Sequence, residues 1–127
     1  MTKLAKPTES ELAILNILWE KENATVKEVH EIILSNKKIG YTTTLKLMQI
    51  MNEKGLVTRD TQSKIHLYIP LIKKEKIQAQ YLSEMIQTLF GGSSTELVLQ
   101  AIEKYPHTEK GLISIASMVK QLQKINN

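Results

Sequence analysis

The chain has 127 residues, of which 42% are hydrophobic, so it fits one domain of ordinary size or a small domain with an appendage. It contains no cysteine, which excludes a disulfide framework and thiolate metal sites. The formal net charge is +4, and residues 1–74 carry the whole excess, with twelve Lys or Arg against eight Asp or Glu. A solvated lysine-rich face and a surface that binds a polyanion explain this bias equally well.

No segment of the sequence resembles a targeting or membrane-spanning element. The N-terminus MTKLAKPTESE lacks the apolar run of a signal peptide. No stretch approaches the ~18 consecutive apolar residues that a membrane span needs. We therefore expect a cytoplasmic protein that does not insert into a membrane.

Two capping boxes predict the first two helices. In each box a threonine hydroxyl accepts from the backbone three residues on, and a glutamate reaches back. The box Thr8–Glu11 precedes apolar residues at helical spacing, which predicts a helix to about Lys21. The box Thr25–Glu28 predicts a second helix that ends near Ser35.

The stretch GYTTTLKLMQIMNEKGLV predicts a third helix with threonines in its first turn. Thr42 or the residue before it is the expected N-cap, and Lys54-Gly55 is the expected end. The spacing predicts a buried stripe of Thr44, Leu47, Met48 and Met51. It predicts an exposed side that carries Thr43, Lys46, Gln49 and Glu53, and also Leu45 and Ile50.

A change of period after this helix predicts a β-hairpin. Residues 56–58 form the first expected strand, and a polar turn spans residues 60–63. In the second expected strand Ile65, Leu67 and Ile69 alternate with His66, Tyr68 and Pro70. Three helices followed by a basic hairpin describe a winged helix-turn-helix.

The residue types at the start of the third helix suit double-stranded DNA. A recognition helix reads base edges with its first turns, where threonine offers both a hydroxyl and a methyl group. A cap explains one threonine but not three, so contact with DNA is the preferred interpretation over capping alone. The expected major-groove residues are Thr42, Thr43 and Lys46, with Tyr41 and Gln49 at the groove edge. The expected phosphate contacts are Arg59 and Lys64.

The remainder of the chain predicts three further helices with broad apolar stripes. So few helices cannot enclose this much apolar surface within one chain. Pairing with a second copy is the expected outcome, and packing against the first domain is the alternative. We thus predict a mainly α protein with a small β-hairpin wing, built from a DNA-binding domain (1–72) and a helical dimerization domain (73–127). The expected dimerization residues are Leu82, Met85, Ile86, Leu89, Leu97, Val98, Ile115, Val119 and Leu122.

Several blocks of the sequence together resemble one known family. The blocks PTESELAILNILWEKENATVKEVHEII, YTTTLKLMQIMNEKGLVTR, KIHLYIP and GGSSTELVLQAIEK are similar to the penicillinase and methicillin-resistance repressors (the BlaI/MecI group) and their copper-responsive CopY relatives. The resemblance spans nearly the whole chain. It implies a homodimeric repressor that binds a palindromic operator, controls genes such as those for β-lactamase, and has a membrane sensor protease as a partner.

The chain also departs from that family at two places. Copper-responsive members carry C-terminal cysteine pairs, which this chain lacks, so copper sensing by that route is excluded. Antibiotic-responsive members are cleaved at an Asn-Phe bond. The matching position here, Gln100-Ala101, is the proteolytic site that the resemblance implies, with a different residue pair.

Enzymatic chemistry is not indicated. The chain has one aspartate and three separated histidines, His30, His66 and His107, and these do not assemble a nucleophile set or a metal-ligand spacing. We expect no catalytic residue, metal or cofactor. His30 is expected to be solvated or bonded to a neighbour. A winged-helix protein-interaction module and a small-molecule-sensing regulator remain the alternatives to a DNA-binding repressor.

Overall fold

A computed structural model describes residues 6–34, 38–62 and 64–126 of the chain. Its elements in chain order are α1 (Glu9–Lys21), α2 (Val26–Leu34), α3 (Tyr41–Glu53), β1 (Val57–Asp60), β2 (Leu67–Pro70), α4 (Lys74–Leu89), α5 (Ser94–Lys104) and α6 (Glu109–Ile125). The chain divides into two compact units, with the division after Leu82.

The first two helices begin at their capping boxes. The Glu11 N–H donates to Thr8 Oγ1 at 3.2 Å, and the Thr8 N–H donates to Glu11 Oε1 at 2.9 Å. The corresponding bonds between Thr25 and Glu28 measure 3.1 and 3.0 Å. Both boxes and the end of α1 at Lys21 confirm the sequence prediction. The predicted end of α2 near Ser35 lies outside the described residues.

The third helix begins earlier than the sequence predicted. Its N-cap is Gly40, so the choice of Thr42 or its predecessor was wrong. The Gly40 carbonyl accepts from the N–H groups of Thr43 and Thr44 at 3.1 and 3.3 Å, without a side-chain cap. Glycine is a permitted N-cap, because extended backbone lets its carbonyl accept the first helical bonds. The threonine hydroxyls are therefore available for other contacts.

The end of α3 is a Schellman motif. Gly55 has φ +80°, a conformation that costs glycine little. Its N–H donates to the Asn52 carbonyl at 3.2 Å, and the Leu56 N–H donates to the Met51 carbonyl at 3.0 Å. The prediction that Lys54-Gly55 closes the helix is confirmed.

The wing is an antiparallel pair in which Val57 lies opposite Pro70 and Arg59 lies opposite Tyr68. The first strand begins one residue later than predicted and extends to Asp60, and Ile65 and His66 precede the second strand. Tyr68 is completely buried, whereas Ile65 and Ile69 are exposed. Tyr68 exchanges both backbone hydrogen bonds with Ala24, at 2.8 and 3.1 Å, and this pairing ties β2 to the connection between α1 and α2.

The hydrophobic core of the described chain lies between positions 14 and 77. Its buried residues are Ile14, Leu15, Leu18, Ala24, Val26, Val29, Met48, Met51, Leu56, Val57, Tyr68, Ile72 and Ile77. Trp19 is half-buried at the edge of this core, and its indole N–H donates to the Ile72 carbonyl at 2.9 Å. The Tyr81 hydroxyl donates to the Pro7 carbonyl at 3.1 Å, so the first turns of α4 belong to the first unit.

The second unit has well-formed helix starts but no interior. Ser93 caps α5 by accepting from the Glu96 N–H, and Thr108 caps α6 by accepting from the Gly111 N–H. None of the described residues 83–126 is buried. Apolar side chains are exposed along α5 and α6, where Leu99 is 60% and Ile125 is 77% exposed. Regular helices thus present an uncovered apolar surface.

Candidate nucleic-acid interface

The three threonines of α3 have different surroundings. Thr42 and Thr43 are exposed, whereas Thr44 is completely buried. The Thr44 hydroxyl lies 2.8 Å from His30 Nδ1 on α2. A buried hydroxyl needs a hydrogen-bond partner, and His30 supplies it. Thr44 therefore joins two helices, while Thr42 and Thr43 remain open to an external partner.

His30 also orients the first residue of α3. The rings of His30 and Tyr41 meet edge to face, with centroids 5.5 Å apart and planes at 84°. This contact and the bond to Thr44 lie one turn apart on α3. The expectation that His30 is bonded to a neighbour is confirmed, and the structure adds that the neighbour is the predicted recognition helix.

A buried carboxylate holds the other end of α3. Lys54 Nζ lies 2.9 Å from Glu11 Oε2, and the Glu11 side chain is only 2% exposed. Burial opposes ionisation of Glu11 and is the largest single effect. The hydrogen bond from the Thr8 backbone and the contact with Lys54 together outweigh it, so the pKa of Glu11 is lowered from its ordinary value. The start of α1 and the end of α3 are thereby joined.

The outward side of α3 is polar. Thr43, Lys46, Gln49 and Glu53 are exposed, as their spacing predicted. The placement of Leu45 and Ile50 on the exposed side was wrong, because both are half-buried and Leu45 packs against the core. Packing of the wing and α2 beside α3 widens the buried stripe beyond the one that spacing alone predicts.

A groove of about 500 Å³ lies between α2, α3 and the wing, and we call it the interface groove. Four of the seven predicted DNA-contacting residues line it, namely Tyr41, Gln49, Arg59 and Lys64. Thr42, Thr43 and Lys46 do not line it. The predicted set is therefore divided between this groove and the neighbouring outward face of α3.

The interface groove is electropositive. Lys27, Arg59 and Lys64 contribute cationic side chains, and none of the described residues that line it is acidic. The Nε atom of Arg59 is buried and has no hydrogen-bond partner within the described part of the chain. Buried donors are usually paired in folded proteins, so this atom marks a site where the chain does not complete its own hydrogen bonding.

Seven of the eleven described residues that line this groove were not in the predicted set, and they include Thr25, Lys27 and His66. Lys27 follows a capping threonine on α2 and is one of many lysines, so nothing in the linear sequence sets it apart. For His66 on the basic hairpin, a phosphate contact and a merely exposed strand residue were equally favoured, and it was not included in the predicted set. The packing of α2 on α3 and the pairing of the wing with Ala24 bring these residues to the groove.

No group of three or more potential metal ligands occurs among residues 6–34, 38–62 and 64–126. Gln100 and Ala101, the implied proteolytic position, lie within α5. The Ala101 carbonyl accepts from His107 Nε2 at 3.1 Å, which requires that nitrogen to carry the proton. None of the helices in the described part of the chain combines the length and the apolarity needed to cross a bilayer.

A comparison with known protein families shows to which family this chain belongs. The sequence model described as Penicillinase repressor matches residues 7–121. The chain belongs to the penicillinase repressor family. The family consists of transcriptional repressors, which supports the prediction that the chain is not an enzyme, and it confirms the resemblance inferred from the sequence.

Named relatives cover most of the chain. It is 26% identical over 106 residues to the Transcriptional regulator BlaI of Mycobacterium tuberculosis, covering 82% of this chain and 77% of that protein. It is 27% identical over 97 residues to the Methicillin resistance regulatory protein MecI of Staphylococcus aureus, covering 76% and 79%. It is 22% identical over 115 residues to a Penicillinase repressor of Staphylococcus aureus, covering 91% of each.

A solved structure supports the fold. The solution structure of the DNA-binding domain of the repressor BlaI matches with a TM-score of 0.51 and 18% identity, covering 58% of this chain and 90% of that one. Together with six helices and a two-stranded hairpin in the described residues, this confirms the predicted winged-helix class.

Proposed function

We propose that the chain represses transcription as a homodimer that binds a palindromic operator through two winged-helix domains. The observation that carries the proposal is the continuity of the outward face of α3 with the electropositive interface groove. The exposed Thr42, Thr43 and Lys46 lie next to a groove that contains Arg59 and Lys64. This arrangement suits base contacts from the helix and phosphate contacts from the wing.

The groove residues favour phosphate as the bound group. Phosphate oxygens are acceptors only, and Arg59 and Lys64 are donors only. Tyr41 and Gln49 line the same groove from α3, where they suit the edge of the major groove.

Dimerization is proposed for the second unit. Its described residues include none that is buried, and its exposed apolar side chains include Leu89, Val98, Val119 and Leu122. A second copy would cover this surface. Linking two half-sites makes the second contact intramolecular, which raises affinity by a factor of ~10² or more.

The regulated genes follow by analogy with the named relatives. Control of antibiotic-resistance genes is proposed on that basis. A cytoplasmic location and a membrane sensor protease are proposed from the sequence and from its family resemblance. Cleavage at Gln100-Ala101 would first need α5 to open locally, because both residues are helical. The domain limits 1–72 and 73–127 remain predictions.

The experiment is a fluorescence-anisotropy titration of duplex DNA from upstream of its own gene, at two salt concentrations. Lys46→Ala is expected to relax base preference, since a good base contact contributes ~1–3 kcal/mol of discrimination. Lys64→Ala is expected to weaken all duplexes alike and to reduce the salt slope by about one. Lys104→Ala, an exposed cation of α5, is the matched control and should change neither.

Absence of duplex binding at low salt would refute the proposal. Equal effects of Lys46→Ala and Lys64→Ala on specificity and salt slope would refute the assignment of separate roles. Sedimentation of the full chain tests the homodimer, and a monomer at micromolar concentration would contradict it.

A further inference from the structure

A second concavity lies in the first unit, away from the interface groove, and we call it the isoleucine cleft. It has a volume of about 350 Å³ and lies among α1, α2, the start of α3 and the residue Ile39. Its lining is Ser10, Ala13, Ile14, Asn16, Ile17, Ile32, Ile33, Ile39, Thr43 and Leu47. The repressor function proposed above assigns it no ligand.

The cleft has an apolar floor and a neutral polar mouth. Ile14 is completely buried, and Ile17, Ile33 and Leu47 are half-buried. Ser10, Asn16 and Thr43 are exposed and offer hydroxyl and amide groups. None of the ten described residues that line the cleft is charged. An ion would therefore find no charged partner among these residues, whereas they match an apolar body with one polar group.

The size of the cleft decides what kind of occupant fits. The volume of about 350 Å³ can be compared with the volumes of known ligand pockets. Pockets for small molecules begin at about 300 Å³. The dimensions thus suit a small molecule.

We propose that the isoleucine cleft binds a neutral, mainly apolar small molecule that carries one hydroxyl or carbonyl group. The apolar body contacts the isoleucines, and the polar group bonds to Ser10, Asn16 or Thr43. Binding there lowers the affinity for operator DNA, because Thr43 lies at the mouth of the cleft and also belongs to the proposed major-groove set. This regulatory part rests on the proposed function, whereas the binding site itself does not.

The first experiment measures binding directly in the full-length protein. Five of the fifteen isoleucines line the cleft, so ¹³C labelling of isoleucine δ1 methyl groups gives a local signal. The probe is 1-naphthol, a neutral aromatic alcohol. Saturable shifts confined to the methyl signals of Ile14, Ile17, Ile32, Ile33 and Ile39 are expected. No shifts, or shifts centred on Ile86, Ile102, Ile113, Ile115 and Ile125, would overturn the site.

A substitution that fills the cleft provides the second test. Ala13→Leu places extra apolar volume in the cleft from an exposed position of α1 and is expected to weaken probe binding at least tenfold. Ala79→Leu makes the same change on the exposed surface of α4 and should leave binding unchanged. Equal binding by both variants would overturn the assignment. If Ala13→Leu does not fold, the methyl shifts of the unsubstituted protein still show whether the probe binds in the cleft.

The third experiment measures operator binding with and without the probe. At a probe concentration ten times its Kd, competition at Thr43 should weaken operator affinity about tenfold. Probe binding in the cleft with unchanged operator affinity would overturn the regulatory role. A protein that binds no duplex even without probe would refute the proposed repressor function instead. The methyl spectra would still show whether the probe binds in the cleft.

Discussion

The two units of this chain are built from similar helices but differ in how far they bury their apolar side chains. The first unit surrounds buried side chains such as Leu18, Met48 and Tyr68, whereas none of the described residues 83–126 is buried. Both units have good N-caps, so local helix signals do not distinguish them. The difference lies in whether each unit buries its apolar side chains among its own elements. The first unit is complete as a fold, and the second is expected to be completed by another copy.

The strongest test of this contrast puts a charge on the second unit. Val119→Asp places a carboxylate on the exposed apolar side of α6. In a symmetric dimer both copies carry it, so two charges are buried and the dimer Kd is expected to rise about a thousandfold, or ~4 kcal/mol. Sedimentation measures this. Gln121→Asp, on the other side of α6, is the control, and equal effects would contradict pairing through this surface.

The next effect concerns the core of the first unit. Leu18→Ala is expected to lower the free energy of unfolding by about 3 kcal/mol, because it removes a fully buried side chain and leaves a cavity. Chemical denaturation measures the loss. The loss should be the same at all protein concentrations. A concentration-dependent loss would mean that the first unit also depends on a partner.

A smaller and pH-dependent effect is expected at the joint between α1 and α3. Glu11→Gln keeps an acceptor for Thr8 but removes the charge that bonds to Lys54, and should cost about 2 kcal/mol at neutral pH. Since folding lowers the pKa of Glu11, its contribution is fully present above the unfolded value of 4.5 and is lost as pH falls through the lower folded value. Denaturation at pH 7 and pH 3 tests this, and a constant difference would contradict it.

The smallest effect is expected at the hydrogen bond between His30 of α2 and Thr44 of α3. Thr44→Val removes the hydroxyl that contacts His30 but keeps the branched shape, so a loss of about 1 kcal/mol in stability is expected. Thr42→Val, at an exposed position, should leave stability unchanged and reduce only operator affinity. Thermal unfolding and anisotropy titrations separate the two. Equal stability losses would refute the different roles of these threonines.

Local signals in the sequence predicted the parts of the fold that depend on neighbouring residues. The boxes at Thr8 and Thr25 and the glycine at position 55 act within one turn, and all three were predicted correctly. The burial of Leu45 and Tyr68 was not predicted, because it depends on where the wing packs. The start of α3 was misjudged since threonine is the commoner cap, although Gly40 supplies only its carbonyl.

The candidate interface was predicted only in outline. Its residues on a single helix could be selected from local spacing, but those brought in by contacts between elements could not. Residue type and helical spacing were enough to select Thr43, Lys46 and Gln49 as exposed. Lys27 could not be selected, because its place beside Arg59 comes from contacts between elements distant in the sequence. The orientation of His30 toward Tyr41 likewise depends on the packing of α2 against α3.

The pairing of Ala24 with Tyr68 also protects one edge of the wing. A two-stranded ribbon leaves unpaired backbone groups along its outer edges, and such edges recruit strands from other molecules into aggregates. Ala24 occupies both backbone groups of Tyr68, in the middle of β2. Little of that edge remains to template a growing sheet. The middle of β2 is therefore closed to the addition of a strand from another molecule.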